Sequence, residues 1–145
     1  MDLKQIYTQI IMEHANSSDH KYEMEAPSLS EHGHNPSCGD DIVVSVKLDG
    51  DIIEDIAFTG TGCAISQAST SLMCEQLQGK TIEEALKTSE AFISMIKDAR
   101  EVDDELEDML GDATALQNIA FMPQRVKCAV LAWHTLNEML QNKNE

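Results

Sequence analysis

The stretch DIVVSVKLDGDIIEDIAF, residues 41–58, decides the fold because it predicts a β-hairpin. A strict two-residue turn would place Asp51 and Asp55 on the apolar face of the hairpin. A three-residue loop avoids this, so burial favours that loop, with Gly50 or a neighbour at the positive φ that it requires. The predicted pairs are Leu48 with Ile52, Val44 with Ile56 and Ile42 with Phe58.

Helical periodicity flanks the hairpin on both sides. Before the hairpin, the sequence predicts a first helix ending near His14 and an edge strand around residues 22–29 within the irregular connection 15–34. After it, a helix begins almost at Cys63 and is capped by Gly79, and one or two helices run from a Thr81…Glu84 capping box to about Ala99, with a break at Thr88-Ser89. A short helix over residues 113–121 and a last helix from Pro123 complete the predicted elements.

The expected fold class is therefore α+β. We expect residues 1–145 to form one domain, with a small antiparallel three-stranded sheet packed against five or six helices and a metal site at one end. The aromatic content is only 4%, so the core must be built mainly from Ile, Leu, Val, Ala and Met.

Charge excludes several classes of partner. The chain carries 26 acidic and 10 basic side chains, a net charge of −16, which repels phosphate backbones and anionic bilayers. We expect neither nucleic acid nor membrane as a partner. The amino terminus lacks an apolar signal core and no stretch is long enough to span a bilayer, so the expected location is the cytoplasm.

Three of the four cysteines lie at predicted element boundaries. Cys38 precedes the hairpin, Cys63 follows it, and Cys128 opens the last helix, whereas Cys74 lies mid-helix and is expected to act as a small buried hydrophobe. Three thiolates and a carboxylate supply the four ligands of a tetrahedral Zn²⁺ or an iron–sulfur cluster, and Asp40 is the natural fourth ligand.

Local sequence also favours reactive thiols. The first turn of a helix favours a thiolate at Cys63, because unpaired backbone N–H groups point at it. Arg125 lies one helical turn before Cys128, and Lys127 is adjacent to it, so two of the ten cationic side chains surround one thiol. The acidic run at residues 98–112 is expected to be a solvated helix face and turn.

Three sequence blocks carry a family resemblance. They are NPSCGD at 35–40, GTGCAISQAS at 60–69 and PQRVKCAVLAW at 123–133. In this order they resemble the signature blocks of the U-type iron–sulfur cluster assembly proteins, the IscU and NifU N-terminal-like family. The resemblance extends from the first helix to the last.

The third block resembles the SufU branch more than the IscU branch. The IscU pattern has a Leu-Pro-Pro-Val-Lys chaperone-binding motif and a His before the third Cys, whereas this chain reads FMPQRV at 121–126 and has Lys127 before Cys128. The acidic run at 98–112 resembles the insertion typical of SufU proteins. The chain departs from the family after Glu13-His14, where the usual Asn-Pro-Arg-Asn run is missing.

The resemblance implies a zinc ion held by Cys38, Asp40, Cys63 and Cys128. It also implies a sulfur acceptor and carrier that receives sulfane sulfur from a pyridoxal-phosphate cysteine desulfurase of the SufS type and delivers it to a downstream iron–sulfur assembly scaffold. By motif position, a partner His would displace Cys38 from the zinc. Cys128 is the expected sulfur acceptor, and Arg125 the residue that contacts the desulfurase or steadies the freed thiolate.

Two alternatives use the same ligands. In the first, the chain is a scaffold on which a [2Fe-2S] or [4Fe-4S] cluster is assembled and passed to apo-proteins. In the second, it is a binding domain whose zinc is purely structural, so that loss of any ligand unfolds it. Because a carboxylate is a weaker zinc ligand than a thiolate, Asp40 is expected to keep the site labile in either active role.

Overall fold

A computed structural model describes residues 2–37 and 39–143, without the side chain of Lys143. Within these residues a three-stranded antiparallel sheet of order β1-β2-β3 packs against helices, as the sequence predicts. The elements are α1 (Leu3–Ala15), β1 (Leu29–Asn35), β2 (Asp40–Asp49), β3 (Ile52–Thr61), α2 (Ala64–Leu77), α3 (Ile82–Lys97), α4 (Asp104–Leu110), a 3₁₀ helix (Gly111–Phe121) and α5 (Pro123–Lys143).

The hairpin forms, but its predicted register was wrong. Asp49 pairs with Ile52 across a two-residue turn in which Gly50 has a φ of 61°. Glu54 is then an extra residue in β3, a bulge that returns the following apolar side chains to the buried face. The observed pairs are Leu48–Ile53, Lys47–Asp55, Val46–Ile56, Val44–Phe58 and Ile42–Gly60, in place of the predicted Leu48–Ile52, Val44–Ile56 and Ile42–Phe58.

The edge strand lies later in the chain than predicted. The expected strand at residues 22–29 is absent from the described structure, and β1 instead begins at Leu29 and pairs along β2. Its buried positions are Gly33 and Asn35, which give no apolar alternation. Gly33 is needed here because a Cβ at this position would lie 2.3 Å from Thr135 Oγ1 on α5.

Two predicted helix starts are confirmed, and a predicted break was wrong. Cys63 is the N-cap of α2, and the Thr81–Glu84 capping box opens α3. However, α3 continues through Thr88-Ser89 because both side chains are buried and the Ser89 hydroxyl donates to the carbonyl of Trp133. The indole of Trp133 stacks on Phe92, with ring centroids 4.1 Å apart, which fixes α5 against α3.

The acidic run at residues 98–112 contains the short surface helix α4. Asp103 caps α4, whose Leu106 and Leu110 are buried while most of its carboxylates face solvent. Lys80, in the turn between α2 and α3, donates to the carbonyl of Met109 and so connects this segment to that turn. In the described part of the chain, no helix has the length and hydropathy needed to cross a bilayer.

Candidate metal centre

Three elements from distant parts of the chain meet at one end of the sheet. Asp40 is the first residue of β2, Cys63 is the N-cap of α2, and Cys128 lies in the second turn of α5. One ligand atom from each lies within 4.8 Å of the other two. The structure thus brings together three of the four predicted ligands. Cys38, the fourth, lies outside the described residues.

The spacing of these atoms suits a tetrahedral ion. A Zn–S bond of about 2.3 Å places neighbouring ligand atoms about 3.8 Å apart around the metal. The three atoms, at most 4.8 Å apart, would therefore close by about 1 Å or less on binding. Thiolate and carboxylate donors also serve iron–sulfur clusters, so the donor set fits both kinds of group.

The Asp40 carboxylate is the most informative polar group of the site. It is fully buried, and its Oδ1 accepts a hydrogen bond of 2.9 Å from the Cys63 backbone N–H. Its Oδ2 is buried without a hydrogen-bond partner among the described residues. A buried carboxylate oxygen without a partner is costly, and a bound cation would satisfy it.

Gly62 leaves space for the Asp40 carboxylate because it has no side chain. A Cβ at Gly62 would lie 2.8 Å from Asp40 Oδ1 and 3.1 Å from Ser66 Oγ. Since real Cβ atoms essentially never approach to 2.8 Å, any side chain here would push Asp40 out of place. The glycine therefore belongs to the site through its small size.

Cys63 accepts a backbone hydrogen bond at the start of α2. The N–H of Ser66 donates to Cys63 Sγ at 3.4 Å, and the thiol takes the role that Ser or Asp usually has at a helix start. The sequence placed this cysteine in the first helical turn, and the N-cap position is the same environment one residue earlier. The Ser66 N–H therefore holds the sulfur in a fixed orientation at the start of α2.

Cys128 is almost completely buried, at 1% exposure. Arg125 precedes it by one turn on α5, as predicted, and Lys127 lines two grooves at this end of the molecule. The larger groove has a volume of about 690 Å³ and also holds Lys97 and His134. Lys97 and Lys127 thus place positive charge in a groove at this end of an acidic chain, whereas burial lowers the pKa of His134.

Cys74 takes no part in this group. Its side chain is fully buried in α2, and burial in apolar surroundings raises the pKa of the thiol well above its usual range. A thiol that stays protonated is neither a good metal ligand nor a nucleophile. The predicted role as a small hydrophobe fits this placement.

Two polar groups near the centre were missed from the sequence. The Ser66 hydroxyl and the Asn35 amide nitrogen are buried, and neither has a hydrogen-bond partner among the described residues. Ser66 sits three residues after the N-cap, a position that signals capping and says nothing about a buried hydroxyl. Only the contact through Gly62 places it beside Asp40.

Comparison with known proteins gives one consistent family. The model of the NifU-like N-terminal domain matches residues 6–142. The zinc-dependent sulfurtransferase SufU of Bacillus subtilis is 42% identical over 137 residues, covering 94% of this chain and 90% of that protein. The iron–sulfur cluster assembly scaffold protein IscU of Streptococcus pyogenes is 39% identical over 142 residues, covering 96% and 85%.

Solved structures agree with this grouping. The crystal structure of FiSufU from Fervidobacterium islandicum superposes with a TM-score of 0.85 at 38% identity and covers 96% of this chain and 99% of that one. A NifU-like protein from Brucella abortus has a TM-score of 0.84 at 20% identity, which shows the shared fold.

Proposed function

The chain belongs to the NifU-like N-terminal domain family, and we propose that it is a zinc-dependent sulfurtransferase of iron–sulfur cluster assembly. The observation that carries this proposal is the meeting of Asp40, Cys63 and Cys128 around a buried carboxylate oxygen without a partner in the described structure. The name of the Bacillus subtilis relative supports zinc and sulfur transfer as the chemistry.

In this proposal Asp40, Cys63 and Cys128 hold the zinc together with Cys38. Bound zinc would keep the thiolates deprotonated while making them less nucleophilic than free ones. The backbone N–H of Cys63 orients the Asp40 carboxylate, and the N–H of Ser66 orients the Cys63 sulfur. The chain thereby fixes two ligands from outside the metal's own coordination.

Cys128 is the proposed sulfur acceptor. Since a zinc-bound thiolate would be a poor nucleophile, Cys128 would have to leave the metal, after a partner His has taken the place of Cys38, before its thiolate attacks the terminal sulfur of the desulfurase persulfide. The S–S bond of that persulfide breaks, a new one forms on Cys128, and the partner's cysteine leaves as a thiolate, so no external oxidant or reductant is needed. Arg125 contacts the desulfurase or steadies the thiolate during this exchange.

The proposed donor is a pyridoxal-phosphate cysteine desulfurase of the SufS type, and the proposed location is the cytoplasm. The groove that Lys97 and Lys127 line supports docking at this end of the molecule, because these two side chains offer positive charge there. A downstream iron–sulfur assembly scaffold is the proposed recipient of the sulfur.

The experiment measures sulfide production by a SufS-type desulfurase with the zinc-loaded protein, and maps the persulfide by peptide mass spectrometry. We expect strong stimulation with the wild type and a persulfide on Cys128. Cys128→Ser should abolish both, whereas the matched Cys74→Ala variant should keep both. Equal stimulation by the Cys128→Ser variant would contradict the assigned role.

A scaffold for iron–sulfur cluster assembly is the second candidate. The thiolate and carboxylate donors favour it equally on chemistry, and the Streptococcus pyogenes relative is named as such a scaffold. In that case the cluster is cargo that is built on the site and passed on. Anaerobic reconstitution with iron and sulfide should then give a coloured protein that transfers its cluster to an apo-ferredoxin.

A further inference from the structure

A second group of metal-ligating side chains lies away from the cysteines. His14 near the end of α1, Glu75 near the end of α2 and Asp112 in the 3₁₀ helix each place one ligand atom within 4.8 Å of the other two. Glu75 lies 12 residues beyond Cys63, which corresponds to about 18 Å along α2. The group is therefore separate from the thiolate centre.

The imidazole of His14 is held in a fixed orientation. Its Nδ1 lies 2.8 Å from the hydroxyl of the buried Ser71, and its Nε2 lies 3.1 Å from Glu75 Oε2. The side chain is only 14% exposed. One ring nitrogen is bound to a buried partner and the other faces the Glu75 carboxylate. A hydrogen bond to the far ring nitrogen is also what orients histidine ligands in metalloproteins.

The charges also match a divalent cation. A proton on His14 would balance only one of the two carboxylates, whereas a divalent ion beside a neutral imidazole balances both. One imidazole nitrogen and two carboxylate oxygens suit first-row ions such as Mn²⁺ and Fe²⁺ better than soft, thiol-seeking metals. Exposed carboxylates at Glu75 and Asp112 leave room for water ligands and for exchange.

The position of the group gives such an ion a role. Helix α1 has no fully buried residue, and its apolar contact with the core is made by the partly buried Ile10 and Ile11. An ion bound by His14, Glu75 and Asp112 would join the end of α1 to α2 and to the start of the 3₁₀ helix. We propose that these three residues form a second, exchangeable site for a divalent cation that fastens α1.

Manganese is the probe for this site. Mn²⁺ is the weakest competitor for nitrogen and sulfur ligands among the divalent first-row ions, so it leaves the zinc of the thiolate centre in place. Zinc-loaded protein is titrated with Mn²⁺ while electron paramagnetic resonance follows the free ion. We expect one bound Mn²⁺ per chain, with electron spin echo modulation from an imidazole ¹⁴N nucleus.

The variants distinguish Mn²⁺ bound by these three residues from Mn²⁺ attracted by the acidic surface in general. His14→Gln should remove the ¹⁴N modulation, and both His14→Gln and Asp112→Asn should weaken Mn²⁺ binding by about tenfold or more. The control Glu13→Gln removes one negative charge, as Asp112→Asn does, at the residue next to His14 on α1. It should change neither the ¹⁴N modulation nor the affinity for Mn²⁺. Zinc content is measured in the same samples and reports on the thiolate centre. A failure of that centre can therefore be told apart from a failure of the second cation site.

Two results would overturn the proposal. Mn²⁺ that binds without ¹⁴N modulation would show attraction to surface carboxylates alone. Equal affinity in the wild type and in the exposed-site variant Asp112→Asn would show that the group holds no ion, whether or not His14→Gln folds fully.

Discussion

At the scale of single residues, the centre depends on a glycine that bears no ligand. Gly62 lies so close to Asp40 and Ser66 that a methyl group would meet both side chains. Gly50, by contrast, has open space around it and is needed only for its positive φ in the hairpin turn. A substitution at Gly62 therefore tests the metal site, whereas one at Gly50 tests only the stability of the fold.

The substitution Gly62→Ala should lower zinc affinity by about tenfold or more, because the new Cβ displaces the Asp40 carboxylate. The control Gly50→Ala should lower the free energy of unfolding by about 1–2 kcal/mol through its left-handed backbone and leave zinc affinity unchanged. Competition with a chromophoric chelator measures the affinity, and thermal unfolding the stability. Equal zinc affinity in wild type and Gly62→Ala would contradict the role of this glycine.

Asp40 is the ligand that is expected to keep the site labile. Asp40→Ala should slow metal exchange and slow sulfur transfer from the desulfurase, because a weak carboxylate ligand is lost from the centre. It also leaves the Cys63 N–H without its acceptor, which costs about 1–3 kcal/mol of stability.

Isotope exchange of zinc, followed by mass spectrometry, measures this effect. Asp41→Ala is the matched control, since Asp41 is the next residue but faces solvent and hydrogen-bonds His32. Unchanged exchange and unchanged turnover in Asp40→Ala would count against a labile carboxylate.

At the scale of elements, the helices could be predicted better than the strands. Apolar spacing and the Thr81–Glu84 capping box located α2 and α3 within a few residues. The bulge at Glu54 could not be predicted from the alternation of apolar and polar residues, since one inserted residue changes that alternation in the same way as a shifted strand register does. Strand β1 was hidden because Gly33 takes a buried position that α5 approaches too closely for a side chain.

The capping box gives a pH-dependent prediction at this scale. Hydrogen bonds from the backbone N–H and the hydroxyl of Thr81 hold the pKa of Glu84 below its usual value. A carboxyl whose pKa is lower in the folded state stabilises the protein above the pKa of the unfolded chain, and this contribution is lost as the pH falls through the folded-state pKa.

Thermal unfolding of Glu84→Gln between pH 3 and pH 7 tests this sign. The wild type should exceed the variant in Tm near neutral pH, and the difference should shrink as the pH falls below the usual Glu pKa and be lost once it has passed through the lowered pKa of Glu84. Glu83→Gln is the control, because Glu83 pairs with Lys87 but does not cap the helix. A Tm difference that is constant with pH would contradict this account of the cap.

At the scale of the whole molecule, the candidate centre could be anticipated because Cys38, Cys63 and Cys128 lie at predicted element boundaries. The boundaries of β2, α2 and α5 converge at one end of the sheet, and this brings Asp40, Cys63 and Cys128 together from across 88 positions of the chain. The buried hydroxyl of Ser66 and the group around His14 could not be foreseen, since they depend on how helices pack rather than on periodicity.

The central claim is that this chain carries zinc for sulfur transfer rather than a cluster as cargo. A native mass spectrum of the protein purified without air tests it most directly. We predict one zinc ion per chain and no sulfide, with zinc lost in Cys63→Ser and kept in Cys74→Ala. A mass increment for iron and sulfide on the wild-type protein would contradict the claim and make the assembly scaffold the function of this centre.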